Sequence, residues 1–175
     1  MASTLLLFSF TFSSFFFLLS PCYGVPQETL AAICSQTQNQ ETCQRILGSD
    51  PRTGSADLPL LSLISIDAAQ KQADSNLNTF SALLRDSTRN NPSLQNAYGT
   101  CVSLYQEIQK ELGAAHDLSK QGKYDEVDKA GPSTDPAYKC ENGLPSSSPT
   151  AAITEDMLLT LQTFYSVTAF VAQSA

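Results

Sequence analysis

Residues 91–122 read NPSLQNAYGTCVSLYQEIQKELGAAHDLSKQG, and this stretch decides the class of fold. Apolar side chains recur along it at alternating steps of four and three residues: Leu94, Tyr98, Cys101, Tyr105, Ile108, Leu112 and Ala115. Because an α-helix has about 3.6 residues per turn, this spacing puts them on one face of a helix of about six turns. Asn91 and Pro92 are typical of an N-cap and a first helical position, and Gly122 is expected to end the helix.

The same periodicity continues on both sides of this helix. A long helix is expected over residues 57–86, and the last helix is expected to begin near Thr154, whose hydroxyl would cap it. Shorter helices are expected over residues 29–37, 42–47, 123–130 and 135–143. No stretch alternates convincingly with the period of two that strands require. The sequence therefore predicts an all-α protein, an antiparallel four-helix bundle preceded by an N-terminal helical hairpin stapled by a disulfide.

The N-terminus has the composition of a secretory signal. Residues 5–19 contain only Leu, Phe, Ser and Thr, a run that is short for a membrane span and typical of a signal-peptide core. Cys22 and Gly24 provide small residues at the −3 and −1 positions, which predicts a signal peptide over 1–24 and a mature domain over 25–175. An uncleaved anchor and a C-terminal lipid-anchor signal are the alternatives. The expected destination is the cell exterior or cell wall, with the vacuole as a second possibility.

Cleavage would leave four cysteines, and an even number in a secreted chain indicates two disulfides. Of the three connectivities, only Cys34–Cys43 with Cys101–Cys140 closes a short local loop without crossing or nesting. A zinc site is the competing interpretation, but neither pair has the close C-x₂₋₄-C spacing that such sites use.

Composition argues against most catalytic and nucleic-acid functions. Ten Lys plus Arg against 17 Asp plus Glu give a net charge of −7, which disfavours nucleic acid and anionic membranes. The sequence lacks nucleophile-elbow, zinc-protease and phosphate-loop motifs. His116 as a general base and Asp125, Glu126 and Asp128 as a calcium loop are weak alternatives, the latter because no glycine stands at the turn. We expect no enzyme, cofactor or metal, but a binding protein.

The first cysteine pair carries a recognisable pattern. Ile33, Cys34, Thr37, Asn39, Cys43 and Leu47 follow I-C-x-x-T-x-N-x-x-x-C-x-x-x-L. This resembles the N-terminal signature of the plant invertase and pectin methylesterase inhibitor family, and most closely the invertase inhibitors found among pollen allergens. The likeness resumes at Cys101-x-x-x-Tyr105 and at residues 140–143. The resemblance implies a four-helix bundle behind a helical hairpin, first-to-second and third-to-fourth disulfides, and an inhibitor that occludes the cleft of a carbohydrate-modifying enzyme.

Invertase inhibitors of this family carry a Pro-Lys-Phe motif at the start of a short helix that enters the enzyme's cleft. The corresponding residues here are Gly122, Lys123 and Tyr124, so lysine is kept, tyrosine replaces phenylalanine and proline is lost. The resemblance implies that Lys123 and Tyr124 bind the target: the ammonium would pair with a carboxylate and the ring would fill the sugar site. The alternative is that Tyr124 packs under the bundle and Lys123 is simply solvated.

Several functions remain open at this stage. An acid invertase (β-fructofuranosidase) ranks first as the target and pectin methylesterase second. A storage or allergenic protein without inhibitory activity and a small-molecule carrier are further alternatives. The hairpin over residues 29–47 has few large apolar residues, so we expect it to stand away from the bundle and to support partner binding or weak self-association.

Overall fold

The computed structural model describes residues 24–87, 91–145 and 150–174. The expected signal peptide lies outside these ranges apart from Gly24. In chain order the helices are α1 (Gln27–Cys34), α2 (Gln40–Gly48), α3 (Leu58–Ser87), α4 (Pro92–Lys120), α5 (Tyr124–Ala130), α6 (Asp135–Gly143) and α7 (Ala151–Ser174). A short 3₁₀ turn, Thr53–Ser55, lies between α2 and α3. No strand occurs in the described ranges, which confirms the all-α prediction.

Four positions make up the bundle, and two short helices share one of them. Helix α3 packs against α4 and α7, while α5 and α6 follow each other between α4 and α7. The break between the two short helices falls at Gly131 and Pro132, where the backbone of Gly131 is extended (ψ 156°). A residue before proline is disfavoured in the helical region, so the sequence cannot continue α5 directly into α6.

The main core forms where α4 meets its neighbours. Six of the seven residues of the predicted stripe are buried, and Leu94 is partly buried at its start. The Phe80 ring of α3 lies 5.3 Å from the Tyr105 ring, centroid to centroid. The Asn91 side chain accepts hydrogen bonds from the backbone N–H groups of Ser93 (3.1 Å) and Leu94 (3.2 Å). The predicted cap and stripe of this helix are confirmed.

The predicted start of the last helix is wrong by about one turn. Helix α7 begins at Ala151, and the Thr150 carbonyl accepts from the N–H groups of Ile153 (3.0 Å) and Thr154 (3.3 Å). Thr154 therefore lies inside the helix and is fully buried, and its hydroxyl has no hydrogen-bond partner in the described structure. Because Thr154 follows the first helical residue by three positions, it is not the N-cap of α7.

The expectation that the N-terminal hairpin stands away from the bundle is also wrong. Helices α1 and α2 both contact α7, and α2 contacts α3. Together they form a second apolar cluster, which we call the hairpin cluster: Leu30, Ile33, Cys34, Cys43, Leu47, Ala56, Leu61, Ile64, Val167 and Val171. Four of its ten residues belong to α3 and α7, so the composition of the hairpin alone does not show how far it is buried. Three of the hairpin's large apolar residues, Leu30, Ile33 and Leu47, are buried inside the molecule, and Ile46 is partly buried.

Two disulfides join the four cysteines of the described chain. Cys34 pairs with Cys43 within the hairpin, with 5.5 Å between their Cα atoms. Cys101 of α4 pairs with Cys140 of α6, with 4.7 Å between their Cα atoms. All four are buried, and as disulfide sulfurs they are not available as zinc ligands.

Candidate target-binding site

The segment that the sequence singles out begins where α4 ends. Gly122 has φ +72°, a left-handed conformation that favours glycine. Its N–H donates to the Ser119 carbonyl (3.0 Å), and the N–H of Lys123 donates to the Leu118 carbonyl (3.0 Å). These two bonds form a Schellman motif, which satisfies the last carbonyls of α4 and reverses the chain. The turn therefore fixes the position of the Lys123 backbone.

Lys123 occupies the N-cap position of α5. Its carbonyl accepts from the N–H of Glu126 (3.0 Å), while its side chain is exposed. Within the described part of the chain, no carboxylate lies within ion-pair distance of the Lys123 ammonium. A lysine without an intramolecular partner keeps its whole charge available for an external one.

Tyr124, the next residue, is less exposed than Lys123. It is half-buried and packs against the hairpin cluster. Part of its ring therefore contacts this chain's own core, as the packing alternative required, and part remains accessible. Lys123 and Tyr124 therefore differ in exposure, since the Tyr124 ring is partly covered by the hairpin cluster while the Lys123 side chain is exposed.

The far end of α5 is anchored against α7. The Phe164 ring lies so close to Gly131 that a Cβ there would be 2.5 Å from the ring's Cε1. Next to it, the Tyr165 hydroxyl donates to the Pro132 carbonyl. Burial, reinforced by the charges of Asp128 and Glu111, raises the pKa of Tyr165 to about 12, so the hydroxyl keeps its proton for this bond. Helix α5 is thus held at both ends.

Helix α6 presents an aromatic residue that the sequence analysis did not single out. Tyr138 is 44% exposed, the most exposed large apolar side chain in the described ranges. Cys140, two residues on, is covalently tied to α4. The spacing of the helix could have predicted this exposure. Pro136, Ala137 and Cys140 share the buried face of α6, and Tyr138 lies on the other face.

His116, the general-base candidate, lies in a network of charged residues and not at the N-terminus of α5. His116 Nε2 is 3.7 Å from Asp67 Oδ1, and Asp67 also pairs with Arg52 at 2.6 Å. Arg52 in turn pairs with Asp50 and holds the pKa of that carboxyl below its usual value. This network joins the connector, α3 and α4, and it contains no nucleophile beside the imidazole.

Neither a metal site nor a membrane span is found in residues 24–87, 91–145 and 150–174. Among the described residues, no three His, Cys, Asp or Glu side chains are placed to hold a metal ion. Asp125, Glu126 and Asp128, the calcium-loop candidates, are all exposed on α5. No helix in the described ranges is long and apolar enough to cross a bilayer.

Among the surface grooves of the described residues, two border α1, and they give the carrier alternative no support. One has a volume of about 500 Å³ and is lined by residues of α1, α2 and the connector. The other, of about 390 Å³, lies between the start of α1, the start of α3 and the end of α7. Both lie outside the main core, where Tyr105, Phe80 and Phe164 are fully buried.

The site is thus an exposed lysine on a turn fixed by backbone hydrogen bonds, at the end of a helical bundle with two disulfides. Residues 28–169 match the family model described as plant invertase/pectin methylesterase inhibitor. The chain belongs to this family, whose members are inhibitor proteins and not catalysts.

Individual relatives include inhibitors named for each of the two target enzymes. The chain is 31% identical over 142 residues to "Pectinesterase inhibitor" of Actinidia deliciosa, covering 79% of this chain and 76% of that one. It is 32% identical over 129 residues to "Cell wall / vacuolar inhibitor of fructosidase 1" of Arabidopsis thaliana, covering 71% and 60%. A crystal structure of a mutant pectin methylesterase inhibitor from Arabidopsis superposes with a TM-score of 0.66 at 19% identity, covering 80% of this chain and 95% of that one. This last likeness concerns the fold.

Proposed function

We propose that this protein is a secreted inhibitor of a plant acid invertase and that it blocks the enzyme by placing the N-terminus of α5 in the active-site cleft. The observation that carries the proposal is the exposed Lys123, which has no acidic partner in the described chain and stands on a turn fixed by the bonds at Gly122. A cation held in place in this way loses little conformational freedom when it binds.

The chemistry of the target fits this cation. Glycoside hydrolases cleave their substrates with a pair of carboxyl groups that flank the scissile bond. An ammonium that enters the cleft pairs with a carboxylate, and charge-assisted hydrogen bonds of this kind are among the stronger polar contacts. The accessible part of the Tyr124 ring then covers the neighbouring sugar site, while its buried part keeps α5 in place against the hairpin cluster.

Pectin methylesterase is the second candidate target. The match to the Actinidia inhibitor spans more residues than the match to the fructosidase inhibitor, 142 against 129. The loss of proline before Lys123 also departs from the invertase-inhibitor motif. Both targets are carbohydrate-modifying enzymes of the cell wall region, so the same secreted location serves either. The vacuole is the alternative location, and expression of a fluorescent fusion in plant cells distinguishes the two.

The decisive experiment titrates the oxidised mature protein against a panel of plant acid invertases and pectin methylesterases. We expect inhibition of an invertase, and Lys123→Ala should weaken it at least tenfold with an unchanged melting temperature. Tyr124→Ala should weaken it to a similar extent, whereas Tyr124→Phe should retain most inhibition. Lys71→Ala and Lys110→Ala, which remove exposed lysines of α3 and α4, serve as matched controls and should change little.

The outcomes separate the alternatives. Inhibition of invertase that survives the Lys123→Ala, Tyr124→Ala double variant would show that another surface binds the enzyme. Inhibition confined to pectin methylesterase would show that this enzyme, the second candidate, is the target. A folded, oxidised protein that inhibits neither enzyme would leave the storage or allergenic protein as the better description.

A further inference from the structure

The backbone nitrogen of Val25 ties the start of the hairpin to the segment between α2 and α3. It donates to the Ala56 carbonyl at 2.6 Å, and Ala56 is fully buried in the hairpin cluster. The half-buried Val25 side chain packs against the same cluster. Pro26, the N-cap of α1, has no N–H to donate. The Val25 nitrogen is therefore the donor that fastens the beginning of α1 to the residues just before α3.

The residue before Val25 lies close to the same segment. A Cβ built on Gly24 would be 2.6 Å from the Gly54 carbonyl oxygen and 2.8 Å from the Cα atom of Ser55. Both contacts are to backbone atoms, so a side chain at position 24 would displace the chain from this place. The place accepts a glycine or the end of the chain.

The signal-peptide cleavage expected from the sequence falls on the bond between these two residues, with Gly24 at the −1 position. Hydrolysis adds one water molecule across this peptide bond. The Gly24 carbonyl carbon gains the oxygen and leaves as a carboxylate, while the Val25 nitrogen gains both protons and becomes an ammonium group. A neutral amide donor is thereby replaced by a charged one at the same nitrogen.

We propose that cleavage between Gly24 and Val25 gives the mature protein an α-ammonium group that binds the buried Ala56 carbonyl and fastens the hairpin to the start of α3. The inference rests on the secretion stated in the proposed function and assigns a structural role to the processed N-terminus. Hydrogen bonds from an ionised donor are stronger than those from a neutral amide. Asp57, whose carboxylate caps α3 through the Leu60 N–H (2.9 Å), lines the same groove as Val25 and adds negative charge there.

This attachment bears on the candidate target-binding site. The hairpin cluster that Val25 covers also holds the Tyr124 ring, at the start of α5. A hairpin that is fastened more tightly keeps this cluster closed, and a closed cluster keeps Tyr124 and α5 in place. Processing of the N-terminus thus supports the segment that carries Lys123.

The test compares melting temperatures of oxidised forms that differ only in the first residue, at about pH 6, below the usual pKa of an α-amine. The form that begins at Gly24 keeps the same net charge but moves the ammonium one residue away, and it should melt about 2–4 °C below the form that begins at Val25. Acetylation of the Val25 α-amine restores a neutral amide and should cause a similar loss. Acetylation of the form that begins at Gly24 is the matched control and should change its melting temperature by less than about 1 °C.

The results separate this inference from the inhibitory function. Equal melting temperatures of the two forms, unaffected by acetylation, would overturn the role of the ammonium. Amino-terminal sequencing of the protein secreted by plant cells should find Val25 first, and any other first residue would overturn the cleavage. Neither measurement uses a target enzyme, so failure here leaves the proposed inhibition intact. A protein retained in the cell with residues 1–24 still attached would overturn both the proposed secretion and this inference.

Discussion

The ring of Phe164 lies against the backbone of Gly131, at a distance that leaves no room for a side chain. A Cβ built on Gly131 would be 2.5 Å from Cε1 and 2.6 Å from Cζ of that ring. Gly131 has φ −69°, a value open to every residue, so the requirement for glycine comes from the neighbouring ring and not from the local backbone. This contact sets the distance between α7 and the junction of α5 and α6.

We predict that Gly131→Ala destabilises the protein by about 1–3 kcal/mol, the usual cost of forcing a methyl group into a packed core. Urea or thermal unfolding measures the loss. Gly113→Ala in α4 is the matched control, because no atom lies within 4 Å of its added Cβ. That variant should gain about 0.5–1 kcal/mol from helix propensity. Equal stability of the two variants would contradict the packing described at Phe164.

The packing of the hairpin on the bundle gives a second prediction. Ile33 is fully buried in the hairpin cluster, so Ile33→Ala should cost about 2–5 kcal/mol. Ile46, on the other helix of the hairpin, is only partly buried, and Ile46→Ala should cost clearly less. Denaturant unfolding of both variants decides the matter. Similar small losses of unfolding free energy in both variants would mean that the hairpin contributes little to the stability of the bundle.

Removal of the whole hairpin extends the same argument. Deletion of residues 25–48 uncovers Leu61 and Ile64 on α3 and Val167 and Val171 on α7. We expect a lower melting temperature and binding of a hydrophobic dye, because that apolar surface would face water. A truncated protein with wild-type melting and no dye binding would restore the view of an independent hairpin.

A buried polar junction gives the third prediction. The Asn76 side-chain amide donates to the Tyr105 hydroxyl (3.1 Å) and to the Ile153 carbonyl (3.0 Å), so it joins α3 to α4 and α7. Asn76→Ala leaves a buried carbonyl without this donor and should cost about 1–3 kcal/mol. Asn78→Ala, two residues on and exposed, is the control and should change stability by less than about 0.5 kcal/mol. Equal losses would contradict the role assigned to Asn76.

The carboxyl group of Glu111 gives a prediction about pH. Its Oε2 atom is buried without a hydrogen-bond partner in the described structure, and burial, reinforced by Glu107, raises the pKa of the group. A pKa raised on folding means that the native state binds the proton more tightly than the unfolded chain. The resulting stability is present below the unfolded pKa and is lost as pH rises through the folded one.

Glu111→Gln removes this pH-dependent loss. We therefore expect the variant to unfold at higher denaturant concentration than wild type at pH 7, with a gap that narrows as pH falls towards 4. Unfolding curves collected across this range give the result directly. A gap that widens at low pH would show that the carboxylate is stabilised by a partner in the native state.

Several features of the fold can be predicted from local sequence patterns alone. The stripe, cap and end of α4 follow from spacing, Asn91 and Gly122, because helix periodicity and terminal hydrogen bonds are set by residues within a few positions of one another. The α5 and α6 segments were delimited in the same way by Gly122, Pro132 and Gly143. The family signature at the first cysteine pair is equally local, and the family match confirms it.

What the sequence determined by itself is thus the helical class, the order of the elements and the membership of an inhibitor family. The tertiary structure alone decided that the hairpin is part of the core, since Ile33 is buried partly by Val167 and Val171, more than 130 residues away in the chain. It also decided that Tyr124 turns towards the hairpin cluster while Lys123 stays free, and that Tyr138 remains exposed. Burial depends on which distant surfaces meet, and a periodic pattern shows only that an element has an apolar face, not what covers that face.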